Sequence, residues 1–187
     1  INRPLQFNTP FSSIIFGEDF LYNYEEFLKK TKKKQFDFNR SNISTFVRNE
    51  YLIKLARYYG YYDDNITIFN NIFSDVISQD TYLSEQKKES LLEYGYFLNF
   101  LSQYNTEILI KYTKNYKLNI KKYTKEVYIF NCNIWGLLTI YYNIFFIYNT
   151  DINIFTIDKD SIKVYINTIR DMLVENLFKN GDVKINV

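Results

Sequence analysis

This chain has no histidine, one cysteine, two prolines and five glycines, and a single alanine, Ala56. Without histidine, imidazole acid/base chemistry and the usual zinc sites are excluded, and most familiar hydrolases with them. A lone thiol, Cys132, forms neither an internal disulfide nor a cysteine metal cluster, so cystine cross-links play no part in stability. Excess charge of either sign is also small. With a formal net charge of +2, any contact with nucleic acid must come from a local patch and not from a whole-protein field. Both prolines, Pro4 and Pro10, fall within Ile1 to Phe16, which has no steady apolar period and reads as an extended arm. A chain starting at Ile1 and not at Met is expected to be processed, trimmed or part of a longer one, with a lost targeting peptide left open by these residues.

What the chain has in excess is aromatic, with 19 tyrosines and 17 phenylalanines. Phe, Tyr, Asn, Ile and Lys have AT-rich codons, so this composition is expected of a genome drifted toward A and T. Short motifs built from Asn, Lys and Tyr then arise by chance. The sequons Asn42-Ile43-Ser44 and Asn65-Ile66-Thr67 belong to that class. The length fits one domain or one solenoid segment with ample apolar content for a core.

The stretch from Ser41 to Lys125 predicts two successive helical hairpins. In the first, Tyr51 to Ser78, Leu52, Leu55, Ala56 and Tyr59 recur at three and four residues, as a buried helical stripe requires. A break at Asp63-Asp64 follows, Asp64 caps the next helix, and Ile66, Phe69, Ile72, Phe73, Val76 and Ile77 resume the stripe. In the second, Ser90 to Tyr116, Leu91, Tyr94, Leu98 and Leu101 lead to a break at Tyr104-Asn105, then Ile108, Leu109, Tyr112 and Tyr116. The offset of roughly 40 residues lies in the range of an α-solenoid, whose hairpins bury their apolar faces on one another. Ser41 and Ser84 are the expected caps, with Ile43, Phe46 and Val47 extending the first stripe backwards.

Upstream, Gly17 opens a helix with Phe20, Leu21, Tyr24, Phe27 and Leu28 on one side. Its acids come early and its lysines late, which suits the helix dipole. Its tail, Lys29, Lys30, Lys32, Lys33 and Lys34, is either a solvated helix end or a phosphate-binding patch.

Downstream, Val127 to Thr150 carries no charge and is long enough to cross a bilayer. Asn131, Asn133, Asn143 and Asn149 spread amides along it, each costly in lipid. Ile134, Leu137, Leu138 and Tyr141 instead predict the first helix of a third hairpin, with Trp135 and Gly136 as packing residues, so a membrane partner is not expected. A last helix is predicted over Ser161 to Asn180, capped by Asp160 and stopped at Asn180-Gly181. Asp158 and Asp160 lack EF-hand spacing.

The most suggestive surface is KYTKNYKLNIKKYTK. It interleaves Lys111, Lys114, Lys117, Lys121, Lys122 and Lys125 with Tyr112, Tyr116 and Tyr123. Ammonium groups for phosphates and aromatic faces for unstacked bases are what single-stranded RNA requires. Tyr112 and Tyr116 also fit a buried stripe, so the two readings stand side by side.

The phrase LLEYGYFLNFLSQYN, a break, then EILIKYTKNY resembles the degenerate helical repeats of RAP-domain and FAST-kinase-like organellar proteins, the heptatricopeptide or octotricopeptide type. The matching positions are Leu55, Tyr59, Tyr62 and Asp63, then Leu98, Leu101, Tyr104 and Asn105, and more loosely Leu138, Tyr141 and Ile144. The resemblance implies organellar RNA metabolism in an AT-rich protist and association with mitochondrial or plastid ribosomes. No RAP domain follows the repeats. A fainter similarity of Glu126 to Tyr142 to a kinase segment fails, because Asn133 replaces the Asp and no glycine-rich or catalytic loop exists.

The expectation is therefore an all-α protein, an α-solenoid of hairpins, with an arm over 1–16 and one helical-repeat domain over 17–187. It is expected to bind without catalysis, and to use neither cofactor nor metal. Its expected partners are rRNA or other single-stranded RNA and neighbouring proteins of a large complex, in the mitochondrion, with plastid or cytoplasm as alternatives. Lys111, Lys114, Lys117, Lys121, Lys122 and Lys125 would contact phosphate, and Tyr116 and Tyr123 would stack on bases. The rival expectation is a structural scaffold subunit that meets proteins, and a membrane-anchored subunit is third.

Overall fold

The computed structural model describes residues 10–57, 94–140, 161, 164, 168 and 181–185. These are mostly helical, with one two-stranded antiparallel sheet. The break expected at Asp63-Asp64, the caps Asp64 and Ser84, Tyr141 onward in the third hairpin, and most of the last helix lie outside the described residues.

Where an extended arm was expected, Phe11–Phe16 is a 3-10 helix with Phe11, Ser12, Ile14 and Ile15 buried. Pro10 has φ −53°, which the pyrrolidine ring prefers, and its carbonyl accepts from the Ser13 N–H at 2.9 Å. The Phe11 ring meets Trp135, Tyr104 and Phe100 edge-on at 4.9, 5.6 and 5.7 Å. Apolar demand outweighs the irregular pattern here, and the segment plugs the core.

Helix α1, Glu18–Lys32, has Glu18 and Asp19 in its first turn and Lys29, Lys30 and Lys32 in its last, as expected. It buries Phe20, Tyr24, Phe27, Leu28 and Thr31. Its end is a Schellman motif. The Lys34 N–H reaches the Thr31 carbonyl at 2.9 Å, the Gln35 N–H reaches that of Lys30 at 3.2 Å, and Lys34 is left-handed at φ 56°.

Helix α2, Arg40–Arg57, is capped by Asn39, whose Oδ1 accepts from the Asn42 N–H at 2.9 Å. The cap lies two residues before the expected Ser41, because Asn42 Nδ2 and the Asn39 N–H both turn back onto the Asp37 carbonyl. Ile43, Val47 and Tyr51 are buried at four-residue spacing, while Leu52, expected in the stripe, is 43% exposed. Asn23 on α1 donates to both carboxylate oxygens of Glu50 on α2, at 3.1 and 3.2 Å.

Helix α3, Tyr94–Tyr112, runs without interruption through Tyr104-Asn105 and packs most extensively on α2. The expected hairpin break there does not exist. Asn105 is fully buried, and its amide nitrogen finds acceptors inside the fold while its Oδ1 has no hydrogen-bond partner. Its Nδ2 donates to the Leu101 carbonyl and to Tyr51 Oη, both at 2.9 Å, and reaches the Phe11 carbonyl at 3.3 Å. Tyr51 Oη in turn donates to that Phe11 carbonyl at 2.7 Å. Ser102 and Thr106 likewise return their hydroxyls to the carbonyls four residues back, at 2.7 Å each. Polar residues that favour turns when exposed are compatible with a helix when these bonds hold them. The described residues are mostly helical, and they do not show stacked hairpins with a 40-residue period.

After α3 come β1, Thr113–Lys114, and β2, Lys117–Leu118. Thr113 pairs with Leu118 and Lys114 with Lys117, which leaves Asn115 and Tyr116 as a two-residue loop. Helix α4, Ile120–Tyr123, is capped by Asn119 and continues through a π-helical stretch, Thr124–Tyr128, into α5, Ile129–Ile140. Tyr123, Val127, Asn131 and Trp135 are all buried, four residues apart. In a pure α-helix such a row would drift by about 40° at each step. The wider π turn reduces that drift and keeps the row facing the core. Gly136 is not the packing residue expected, since an added Cβ would meet nothing within 4 Å.

Residues 181–185 lie across α3 and α5 as a strap. Asn131 holds it by both ends of its amide, Nδ2 on the Val183 carbonyl and Oδ1 from the Ile185 N–H, each at 3.0 Å. This explains one amide of the uncharged run. No helix among the described residues is long and apolar enough to cross a membrane.

Candidate nucleic-acid interface

The eight residues expected to bind RNA divide into three groups. Lys114, Tyr116 and Lys117 stand at the tip of the β-hairpin, and all three are exposed. Asn115 and Tyr116 have φ 51° and 56°, the pair of positive angles that a type I′ turn demands. Asparagine tolerates that region, but a tyrosine there costs roughly 1 kcal/mol or more relative to glycine. Tyr116 is 46% exposed, and its ring lies at 74° to that of Phe38, 6.5 Å between centroids.

Lys121 and Lys125 form the second group, exposed on α4 and on the π stretch. Lys122 is beside them, but its ammonium is 3.6 Å from Glu126, with both side chains about half exposed. Such a pair is solvent-screened and weak.

One residue is corrected, and another is found in an ion pair. Tyr123 does not stack on bases, because its ring is buried under Phe16, Tyr112 and Tyr128. Its hydroxyl is hydrogen-bonded to Ser12 Oγ at 2.8 Å and to the Gly181 carbonyl at 3.2 Å. Lys111 is engaged with the strap, donating to the Asp182 carbonyl at 2.8 Å and to its Oδ2 at 3.0 Å. Its side chain is half exposed, and its charge is shared with Asp182. Tyr112, which fitted both readings, is core. Its hydroxyl donates to Glu126 at 3.1 Å, and burial first, then that bond, push its pKa up to about 12.

The hairpin was not expected, nor was the approach of Phe38. The strongest short hairpin signal is Asn-Gly, and Lys-Asn-Tyr-Lys offers only its asparagine, a residue abundant throughout this chain. The hairpin rests on α1, where Tyr24 Oη and Thr113 Oγ1 are 2.9 Å apart in the core.

A second concavity, about 610 Å³, opens between α2 and α3. Ser41, Ser44, Thr45 and Gln103 line it, and its charges, Arg40 and Glu107, form an ion pair. It offers a neutral polar surface. Burial pushes the Cys132 thiol up against the opposing effect of Tyr128, so at neutral pH it is a protonated, half-buried group. Among the described residues no cluster of acids and cysteine gathers to hold a metal. No protein-family model, no curated protein and no solved structure matches this chain.

Proposed function

We propose that this protein binds single-stranded RNA without catalysis, as a helical accessory component of an organellar ribonucleoprotein. The observation that carries the reading is the hairpin tip, where a strained, half-exposed tyrosine stands between two exposed lysines. Lys121 and Lys125 continue the basic surface, and Lys122 adds to it where a phosphate displaces Glu126. Ammonium groups supply affinity from the RNA backbone, and the ring supplies a sequence-tolerant stacking platform. The organellar setting, mitochondrial ribosome first, rests on the repeat resemblance and the AT-driven composition. The uninterrupted helix α3 removes one of the three motif occurrences from that support.

The test is filter binding of single-stranded RNA across a salt series, with a Lys114→Gln, Lys117→Gln, Lys121→Gln variant alongside. Three lost phosphate contacts reduce the log-log salt slope by about 2 on a single strand. Absence of binding by the intact protein at low salt overturns the reading. The second reading, a scaffold that meets proteins, is favoured by the exposed apolar side chains Ile129 and Phe130 on α5 and Val183 in the strap, with the Lys184 ammonium 5.3 Å from the Phe130 ring.

A further inference from the structure

We infer that the RNA-binding surface is a composite of two segments distant in sequence, and that a single strand crosses from one to the other over the Tyr116 ring. The inference rests on the RNA-binding reading above and assigns the site a second half, the C-terminal end of α1.

Two contacts join the halves. Tyr24 on α1 is hydrogen-bonded to Thr113 at the base of the hairpin, and Phe38, in the loop leaving α1, meets Tyr116 at its tip. Between them the chain carries Lys32, Lys33 and Lys34, all exposed. The Schellman turn at Lys34 ends the helix there, and Phe36 then packs on Phe27 at 4.9 Å. The basic tail of α1 thus lies in the sequence between two residues that touch the hairpin, one at its base and one at its tip. Lys29 does not belong to the surface, since Glu26 binds it at 2.6 Å.

The hydrogen bonds of the loop explain its shape without the charges. Asp37 and Asn39 make the turn through backbone and amide groups, and Lys32, Lys33 and Lys34 have no ion pair among the described residues. The Asp37 carboxylate is exposed beside Phe38 and opposes any phosphate bound there. Tyr116 occupies a left-handed position that favours glycine, and its half-exposed ring adds little to the core. A residue held against its backbone preference at the centre of a basic surface is explained by a ligand that needs the ring. The Phe38 ring stands steeply inclined to it at 6.5 Å between centroids, and the exposed part of the Tyr116 ring is left for a base.

The experiment is fluorescence anisotropy of a short fluorescein-labelled oligouridylate, titrated with the intact protein, the Lys114→Gln, Lys117→Gln, Lys121→Gln hairpin variant and three further variants across a salt series. Lys32→Gln, Lys33→Gln, Lys34→Gln combined reduces the salt slope by up to about 2, as the hairpin variant does. Tyr116→Gly weakens binding by about fivefold or more, while its thermal midpoint stays equal or rises because glycine suits the turn. Asp37→Asn tightens binding, a gain that misfolding cannot produce. An α1 variant with the parental slope, beside a hairpin variant with a reduced one, overturns the composite site and leaves the RNA reading intact. Failure of the intact protein to bind defeats both. Equal binding of Tyr116→Gly and parent, with anionic lipid vesicles bound at the same salt slope, overturns the inference in favour of a membrane surface.

Discussion

Replacing Asn105 by aspartate changes one atom of the side chain and reverses what it offers the core. In the native fold Nδ2 points at three acceptors, the Leu101 carbonyl, Tyr51 Oη and the Phe11 carbonyl, at 2.9, 2.9 and 3.3 Å. An aspartate oxygen in that place meets two carbonyls with lone pairs on both sides, in a position with no solvent access. Burying an unpaired charge or forfeiting such donors costs on the order of 3 kcal/mol or more. Tyr51→Phe is the milder companion. It removes a donor 2.7 Å from the buried Phe11 carbonyl, but Asn105 still reaches that carbonyl, so about 1.5 kcal/mol is expected. For a chain of this size each kcal/mol moves the melting midpoint by roughly 2–4 °C. Urea denaturation followed by circular dichroism reads both variants. The aspartate carries a pH signature of known sign. Its folded pKa is raised by burial, so the variant is least destabilised below the ordinary carboxylate pKa, and stability falls as pH rises through the folded value. If Asn105→Asp stays within about 0.5 kcal/mol of the parent at pH 8, Asn105 is a solvent-facing helix break and the core assignment is wrong.

Gly181→Ala should destabilise by roughly 1–3 kcal/mol, because the new methyl would lie 2.5 Å from the buried Tyr104 ring and 2.6 Å from Ile108; an unchanged midpoint would refute the tight seat of the strap. Tyr116→Gly should raise stability by about 1 kcal/mol through the turn alone, read by thermal melting without RNA. Burial raises Tyr24, Tyr104, Tyr123 and Tyr128 above the ordinary tyrosine pKa, and Tyr112 to about 12. Stability from these neutral hydroxyls is complete below about pH 10 and is lost as pH rises through the folded values. The tyrosinate absorbance of these five, read as the difference between the parent and each Tyr→Phe variant, should therefore rise in one cooperative step with alkaline unfolding, and ionisation of these groups near pH 10 in a still-folded chain would contradict their burial.

Helix α1 was legible almost end to end, since Phe20, Tyr24, Phe27 and Leu28 repeat on one face and its acids and lysines sort to opposite ends. Ile43 and Val47 were legible for the same reason. The stripe then departs from its expected course at Tyr51, because a four-residue step selects Tyr51 for the core and leaves Leu52 outside. Asn105 was misread because local propensity cannot tell a turn asparagine from one whose amide finds acceptors on other segments. Residues 11–16 and the hairpin were misread for a related reason. Their conformations are imposed by contacts with residues far along the chain, Trp135 for Phe11 and Phe38 for Tyr116. Of the expected interface, exposure followed the lysines well. It failed for Tyr123, where the ring belongs to the core row of α4 and the π stretch.

The Tyr123 hydroxyl touches Ser12, 111 residues before it, and Gly181, 58 residues after it. Such a junction is late to form, since two large loops must close before either bond is gained. A chain emerging from its ribosome can wind α1 and α2 early, but this junction waits for residue 181 to emerge. Until then the slot against Tyr104 and Ile108 stays open and the Phe11 plug has one fewer restraint. Folding of the aromatic core is in this way timed by its last few described residues, and a refolding phase sensitive to Gly181 but not to Lys114 would be its kinetic trace.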